Sequence, residues 1–207
     1  MGSFRAVILD LNGVFLQSEY LSKRIEEKYG ISGDDFLASL KEVMAVARKP
    51  GVEDSFVIWR PHLKKLGLAI SKDEFFDFWF SGEKLVSEIF DYIKELRVKG
   101  VKVFILSNNF KERTEYYRKN FSEIFQNVDG VYFSWETGFV KPDQEAYKNL
   151  LTQNSLLPEE CVYFDDSPEN IEVARGLGID AQKYQGFQKA KEYLEKILGR
   201  KYNTFER

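Results

Sequence analysis

Four short apolar runs punctuate the chain, at residues 6–9, 101–106, 130–133 and 161–164, and each ends at a polar residue: Asp10, Ser107, Ser134 or Asp165. Runs without polar alternation mark strands buried on both faces, as in a parallel sheet covered by helices. A fifth, weaker run spans residues 179–184. Between the runs the apolar period lengthens to that of a helix. Leu85, Val86, Ile89, Ile93 and Leu96 precede Gly100, which sits where a helix C-cap is expected, and Phe187, Ala190, Tyr193, Leu194 and Ile197 form a second example. This alternation from residue 84 onward predicts a doubly wound α/β sheet.

The rhythm breaks over residues 16–82. Helical periods dominate there, including Leu21, Ile25 and Tyr29, then Phe36, Leu40, Val43 and Ala47, then Phe56, Trp59 and Leu63, then the aromatic stretch 75–80. Breakers at residues 30–33, at Pro50-Gly51, at Gly67 and at Ser81-Gly82 mark its joints. The prediction is a helical insertion at 16–82 within a core formed by residues 1–15 and 83–207.

Composition narrows the chemistry. With 43% hydrophobic and 15% aromatic residues, the 207-residue chain has ample apolar surface for a packed core. One His and one Cys, His62 and Cys161, argue against a disulfide framework, a Cys/His zinc site and a Cys-His nucleophile. Charges are spread evenly, 30 Lys plus Arg against 33 Asp plus Glu, without the basic stripe of a nucleic-acid binder. No apolar run approaches the roughly 18 residues of a membrane span. The first residues lack the pattern of a signal peptide, so no membrane partner and a cytoplasmic location are expected.

The polar residues at the strand ends carry the functional argument. Ligands of open α/β sheets bind at the carboxyl ends of the strands, where Asp10, Ser107 and the Asp165-Asp166 pair fall. Each has an ordinary use taken singly, as a turn starter, a helix cap or a charged loop. Three such sets at three strand ends point instead to one site. Clustered carboxylates need a counterion, and without His or Cys ligands the natural choice is a hard cation such as Mg²⁺. Helix starts after Ser107-Asn108-Asn109 and at Ser167-Pro168-Glu169 offer free amide groups to phosphate oxygens. Lys141, between Val140 and Pro142, adds a positive charge.

These residues fall into four ordered motifs. Residues 6–14, with Asp10-Leu11-Asn12-Gly13, resemble motif I of the haloacid dehalogenase superfamily; Ser107-Asn108 resembles motif II, Lys141-Pro142-Asp143 motif III, and Asp165-Asp166-Ser167 motif IV. The resemblance covers residues 5 to about 198. It implies a Rossmann-like core with an inserted α-helical cap of the C1 type, and a Mg²⁺-dependent phosphatase acting on a small phosphorylated metabolite such as a sugar phosphate. Asp10 would be the nucleophile and form an aspartyl-phosphate. Asp10, the main-chain carbonyl of Asn12 and Asp166 would hold Mg²⁺, with Asp165 beside them. Ser107 and Asn108 would donate to the phosphoryl oxygens, and Lys141 would offset negative charge.

One position departs from the family pattern. Phosphatases of this family carry an Asp two residues after the nucleophile, as general acid and base; here it is Asn12. An amide orients but does not exchange protons, which puts at risk a contribution of about 10² to 10⁴-fold. The alternatives are therefore a weakened phospho-metabolite binding protein and a metal-independent 2-haloacid dehalogenase. From the insertion, Arg48 and Lys49 are the cations placed to reach substrate, although a solvated basic turn is the plainer expectation for them. The aromatic stretch 75–80 is expected to build the core of the insertion and its seam with the sheet. A monomer or a homodimer fits the sequence.

Overall fold

The computed structural model describes residues 4–203. Residues 1–3 and 204–207, which the sequence reading assigns to the core, lie outside the described residues.

In chain order the first half contains β1 (Ala6–Leu9), β2 (Leu16–Gln17), α1 (Leu21–Tyr29), α2 (Gly33–Ala47), α3 (Ser55–Lys65), α4 (Lys72–Phe80), β3 (Lys84–Leu85), α5 (Ser87–Val98) and β4 (Lys102–Ser107). The second half adds α6 (Lys111–Asn120), α7 (Ser122–Gln126), β5 (Gly130–Phe133), α8 (Ser134–Thr137), α9 (Gln144–Gln153), β6 (Cys161–Asp165), α10 (Pro168–Gly176), β7 (Asp180–Lys183) and α11 (Phe187–Asn203). Five strands form a parallel sheet in the order β5-β4-β1-β6-β7. All five apolar runs are thus strands of one sheet, as predicted.

The central strand explains the two layers. Alternate residues of a strand point to opposite faces. Val7 and Leu9 join Val103, Ile105 and Phe164 in a core with Ile89, Ile93 and Leu96 of α5 and Leu194 of α11. Ala6 and Ile8 join Phe104 and Tyr163 in a second core with Tyr147 and Leu150 of α9 and Ile171 of α10. All four residues of β1 are fully buried, which is why its sequence shows no alternation. The register sets Leu9 between Ile105 and Phe164. Asp10, Ser107 and Asp165 therefore reach the same edge of the sheet. The chain moves outward from β1 through β4 and β5, then crosses to the other side of β1 with β6 and β7, so β1 is the topological switch point.

Helices α1 to α4 enclose their own aromatic core. Phe36, Trp59 and Phe75 are fully buried in it, and Phe36 stacks on Trp59 with ring centroids 5.7 Å apart. Helix α4 begins with a capping box between Ser71 and Glu74. It buries Phe75, Phe76, Trp79 and Phe80, and the last three also pack on Phe110, just after β4, at 6.0, 5.2 and 6.2 Å. The aromatic stretch thus forms both the helical core and its seam with the sheet. Chain entry and exit at this unit run side by side as the antiparallel pair β2 and β3, with Leu16 opposite Leu85. Among the described residues no helix is long and apolar enough to cross a membrane.

Phe75 touches Phe56, Trp59, Phe76 and Trp79. Phe75→Ala should therefore cost about 3 to 5 kcal/mol of stability in denaturant unfolding followed by tryptophan fluorescence. A loss below about 1 kcal/mol would contradict this packing.

Candidate active site

Strand β1 delivers Asp10 to the sheet edge, where its main-chain N–H donates to the Phe164 carbonyl at 3.0 Å. The chain then turns through Gly13 at a φ of +84°, where a Cβ would come within 3.3 Å of an Asp166 carboxylate oxygen. Glycine supplies both the conformation and the space.

Lys141 ties the strands together. Its Nζ donates to Asp10 Oδ1 at 3.1 Å, to Asp165 Oδ2 at 2.6 Å and to the Tyr163 hydroxyl at 3.2 Å, and its side chain is only 2% exposed. All three ammonium protons have a partner. The lysine is held by its own backbone: the Asn108 amide accepts from Lys141 N–H at 2.8 Å and donates to its carbonyl at 2.7 Å. Asn108, expected to face the phosphoryl group, is thus engaged with the Lys141 main chain. Burial works against the Lys141 charge, but the carboxylates of Asp10 and Asp165 outweigh it and hold the amine above its ordinary pKa.

The two carboxylates respond differently. Burial pushes the Asp10 pKa up, eased by Lys141 and reinforced by the nearby Asp165 charge. Burial also opposes the charge of Asp165, yet Lys141 and further donors bring its pKa below the usual range. Those donors are the Ser167 N–H at 2.8 Å, the Asn170 amide at 3.0 Å and the Tyr163 hydroxyl. Asp166 stands at the open side, its pKa raised by burial and by Asp165.

Carboxylate oxygens of Asp10, Asp165 and Asp166 lie within 4.8 Å of one another. An all-oxygen donor set suits a hard divalent cation such as Mg²⁺. Asp165 is occupied by Lys141 and its other donors, so Asp10 and Asp166 are the carboxylates free to face an ion, with the Asn12 carbonyl in the same loop. Ser107 faces Asp10, and its Oγ is buried without a hydrogen-bond partner. That hydroxyl lies beside the Asp10 carboxylate, whose charged form it favours.

The orientation of the Asn12 amide is set by a chain of hydrogen bonds anchored on the main chain. Phe110 N–H donates to Asn109 Oδ1 at 3.1 Å, Asn109 Nδ2 donates to Asn12 Oδ1 at 3.1 Å, and Asn12 Nδ2 donates to the Tyr117 hydroxyl at 2.7 Å. Tyr117 is fully buried beside the Arg113–Glu83 ion pair. Ser134 pins the same loop by bonding the Asn109 main chain on both sides. Asn109, Tyr117, Arg113, Glu83 and Tyr163 escape sequence reading because each resembles ordinary helix or strand material. Only the doubled Asn108-Asn109 hinted at more.

Arg48 corrects the expectation of a solvated turn. It caps the C-terminus of α2, and its Nε is buried with no hydrogen-bond partner. Burial and the nearby Arg113 lower its pKa, opposed by Asp10. Lys49, its neighbour, is exposed. His62 lies in α3, 3.6 Å from Glu42.

A family model for haloacid dehalogenase-like hydrolases matches residues 4–178. The chain belongs to that family. The phosphorylated carbohydrates phosphatase of Thermotoga maritima is 24% identical over 188 residues, covering 84% of this chain and 82% of that one. Mouse acyl-CoA dehydrogenase family member 10 is 33% identical over 112 residues, 52% of this chain but only 10% of that much longer protein. In three dimensions, a HAD family enzyme from Bacteroides thetaiotaomicron, solved as a magnesium complex, superposes with a TM-score of 0.76 at 21% identity, over 88% of this chain and 94% of that one.

Removing Lys141 would leave two buried carboxylates without their counter-charge. Lys141→Ala should lower stability by about 3 to 5 kcal/mol in chemical denaturation at neutral pH. A change within about 1 kcal/mol would mean that Asp10 and Asp165 do not depend on this amine.

Proposed function

We propose that this hydrolase is a Mg²⁺-dependent phosphatase that cleaves a small phosphorylated metabolite through an aspartyl-phosphate on Asp10. The observation that carries the reading is the position of Asp10, between Lys141 on one side and Asp166 on the other, with the unpartnered Ser107 hydroxyl beside it. An acidic triad of this kind suits a phosphatase better than a metal-free dehalogenase, in which Lys141 alone would face three carboxylates.

Asp10 attacks phosphorus and the bond from phosphorus to the leaving oxygen breaks; water then attacks the phosphorus of the aspartyl-phosphate, the bond to Asp10 breaks, and the carboxylate and inorganic phosphate are released. Asp10, Asp166 and the Asn12 carbonyl would hold Mg²⁺, which would supply charge neutralisation at the phosphoryl oxygens. Ser107 donates to one of those oxygens, and Lys141 keeps Asp10 ionised and aimed. The helical unit of residues 16–82 acts as the cap that excludes water and selects substrate. Arg48 is its contribution to the site, and exposed Lys49 adds longer-range attraction. Asn12 holds its place by hydrogen bonds and carries no proton to the leaving group. The enzyme therefore favours leaving groups that need little proton help, such as acyl or anomeric phosphates. It acts in the cytoplasm, in keeping with the free, buried Cys161.

Asn12 also favours a second reading, a phospho-metabolite binding protein with little turnover. A panel of phosphorylated metabolites with an acyl phosphate, assayed for phosphate release with Mg²⁺, separates the two. Turnover that disappears with chelator and in Asp10→Asn is expected; retained binding of metal and phosphate without any turnover favours the binder. Fluoride release from fluoroacetate without metal would establish the dehalogenase instead.

Asn12→Asp restores a proton-carrying group at a position where Asn109 N–H still has an acceptor. Hydrolysis of alkyl phosphates should rise by about 10²-fold or more, with a smaller change on the acyl phosphate. An equal effect on both would show that Asn12 is not standing in for a missing acid.

A further inference from the structure

One side of α2 faces the sheet domain across a cleft of about 330 Å³. Lys41, Met44, Arg48 and Lys49 line it from the helix and its C-terminal cap, and Asn108 and Lys141 lie opposite. Their spacing of three, seven and eight residues from Lys41 is that of a single helix face. The cleft opens beside the nucleophile, since Lys141 bonds Asp10 at 3.1 Å and the Asp10 charge is felt at Arg48.

Its chemistry is one-sided. Every ionisable residue lining the cleft is a cation, and the others apart from Asn108 are apolar, with Leu40, Ala45 and Val140 completing the wall. The Asn108 amide is taken at both ends by the Lys141 main chain. No lining side chain is left to accept a hydrogen bond from a sugar hydroxyl. A buried hydroxyl without an acceptor loses its bonds to water and gains nothing in return.

Arg48 points to what the cleft does accept. The other inward-facing cations of the site meet carboxylates, Arg113 at Glu83 and Lys141 at Asp10 and Asp165. Among the described residues Arg48 has no such partner, and its Nε is sealed from water. Arg48 is half-buried, and a guanidinium whose Nε is sealed without an acceptor is undercompensated unless a ligand supplies one. The phosphoryl group is served on the other side, by Ser107 and the acidic cluster.

We infer that the substrate's leaving group carries an anion of its own, a carboxylate or a second phosphate, which Arg48 binds with support from Lys41 and Lys49. This inference rests on the phosphatase reading and deepens it. Because Asn12 favours leaving groups that need little proton help, the class is an acyl or anomeric phosphate that carries this second anion, and polyol phosphates without one are poor ligands.

Matched pairs test this directly. 3-Phosphoglycerate and glycerol 3-phosphate differ by a carboxylate, and fructose 1,6-bisphosphate and fructose 6-phosphate by a phosphate. Binding is measured calorimetrically to the Asp10→Asn variant with Mg²⁺, so that the outcome is independent of turnover. At least one anionic member should bind tenfold or more tightly than its neutral mate, and the pair that shows the preference identifies the anion. Arg48→Met should erase that preference while leaving the neutral mates within about twofold. Equal affinities within both pairs would overturn the inference. So would an Arg48→Met loss that falls equally on charged and neutral ligands, because Arg48 would then serve the phosphoryl group. Should Arg48→Met fold poorly, Lys41→Gln with Lys49→Gln must narrow the preference, and no narrowing is equally fatal. Anion preference without turnover in the wild-type chain would remove the phosphatase reading and leave this one standing.

Discussion

The site is organised by one buried ammonium group. Lys141 reaches two carboxylates and a phenol from a loop outside the sheet, and it joins the ends of β1 and β6 through charge. Either carboxylate alone at this depth would favour its neutral form. Lys141 opposes that tendency at both, with an uneven outcome: the Asp165 pKa falls below the usual range while that of Asp10 stays above it. Asp165 is saturated with donors and serves to hold the lysine, whereas Asp10 keeps fewer contacts and stays available. Hydrogen-bond count is what separates the saturated Asp165 from the more available Asp10.

A second consequence concerns Asn108. A lysine used in this way must have its main chain fixed, and the two bonds from the Asn108 amide do so across the loop. The residue after Ser107 thus acts on the chemistry through Lys141. A comparable division of labour appears at Asn12. Its side chain is oriented by Asn109 and Tyr117, and Tyr117 lies against the Arg113–Glu83 pair close to where the helical unit rejoins the sheet domain. Asn12 is thereby connected to the segment where the helical unit rejoins the sheet domain. Arg113 also lies over the rings of Trp79 and Tyr117, so one guanidinium touches both parts.

Sequence patterns made much of this legible. The uninterrupted apolar strands, the helical periods and the polar residues at three strand ends located the sheet, the insertion and the edge where Asp10, Ser107 and Asp165 meet. They worked because burial on both faces and helical packing each leave a periodic trace along the chain. Arg48 was harder to read. A basic residue beside Lys49 and Pro50 looks like a solvated turn, and only the approach of α2 to the sheet domain seals its Nε. Tyr117 and Glu83 were invisible for a similar reason, since their partners lie 105 and 30 residues away.

The chain by itself determined the elements, their order and the kinds of chemistry on offer, because periodicity and residue type are local properties. Tertiary structure decided which of the charged groups are paired. Asp165 became a holder of Lys141, Asn108 a clamp on its backbone, and Arg48 a half-buried cation with a sealed Nε and no anion. These outcomes depend on desolvation and on distances between remote segments, and no local pattern in the chain encodes either.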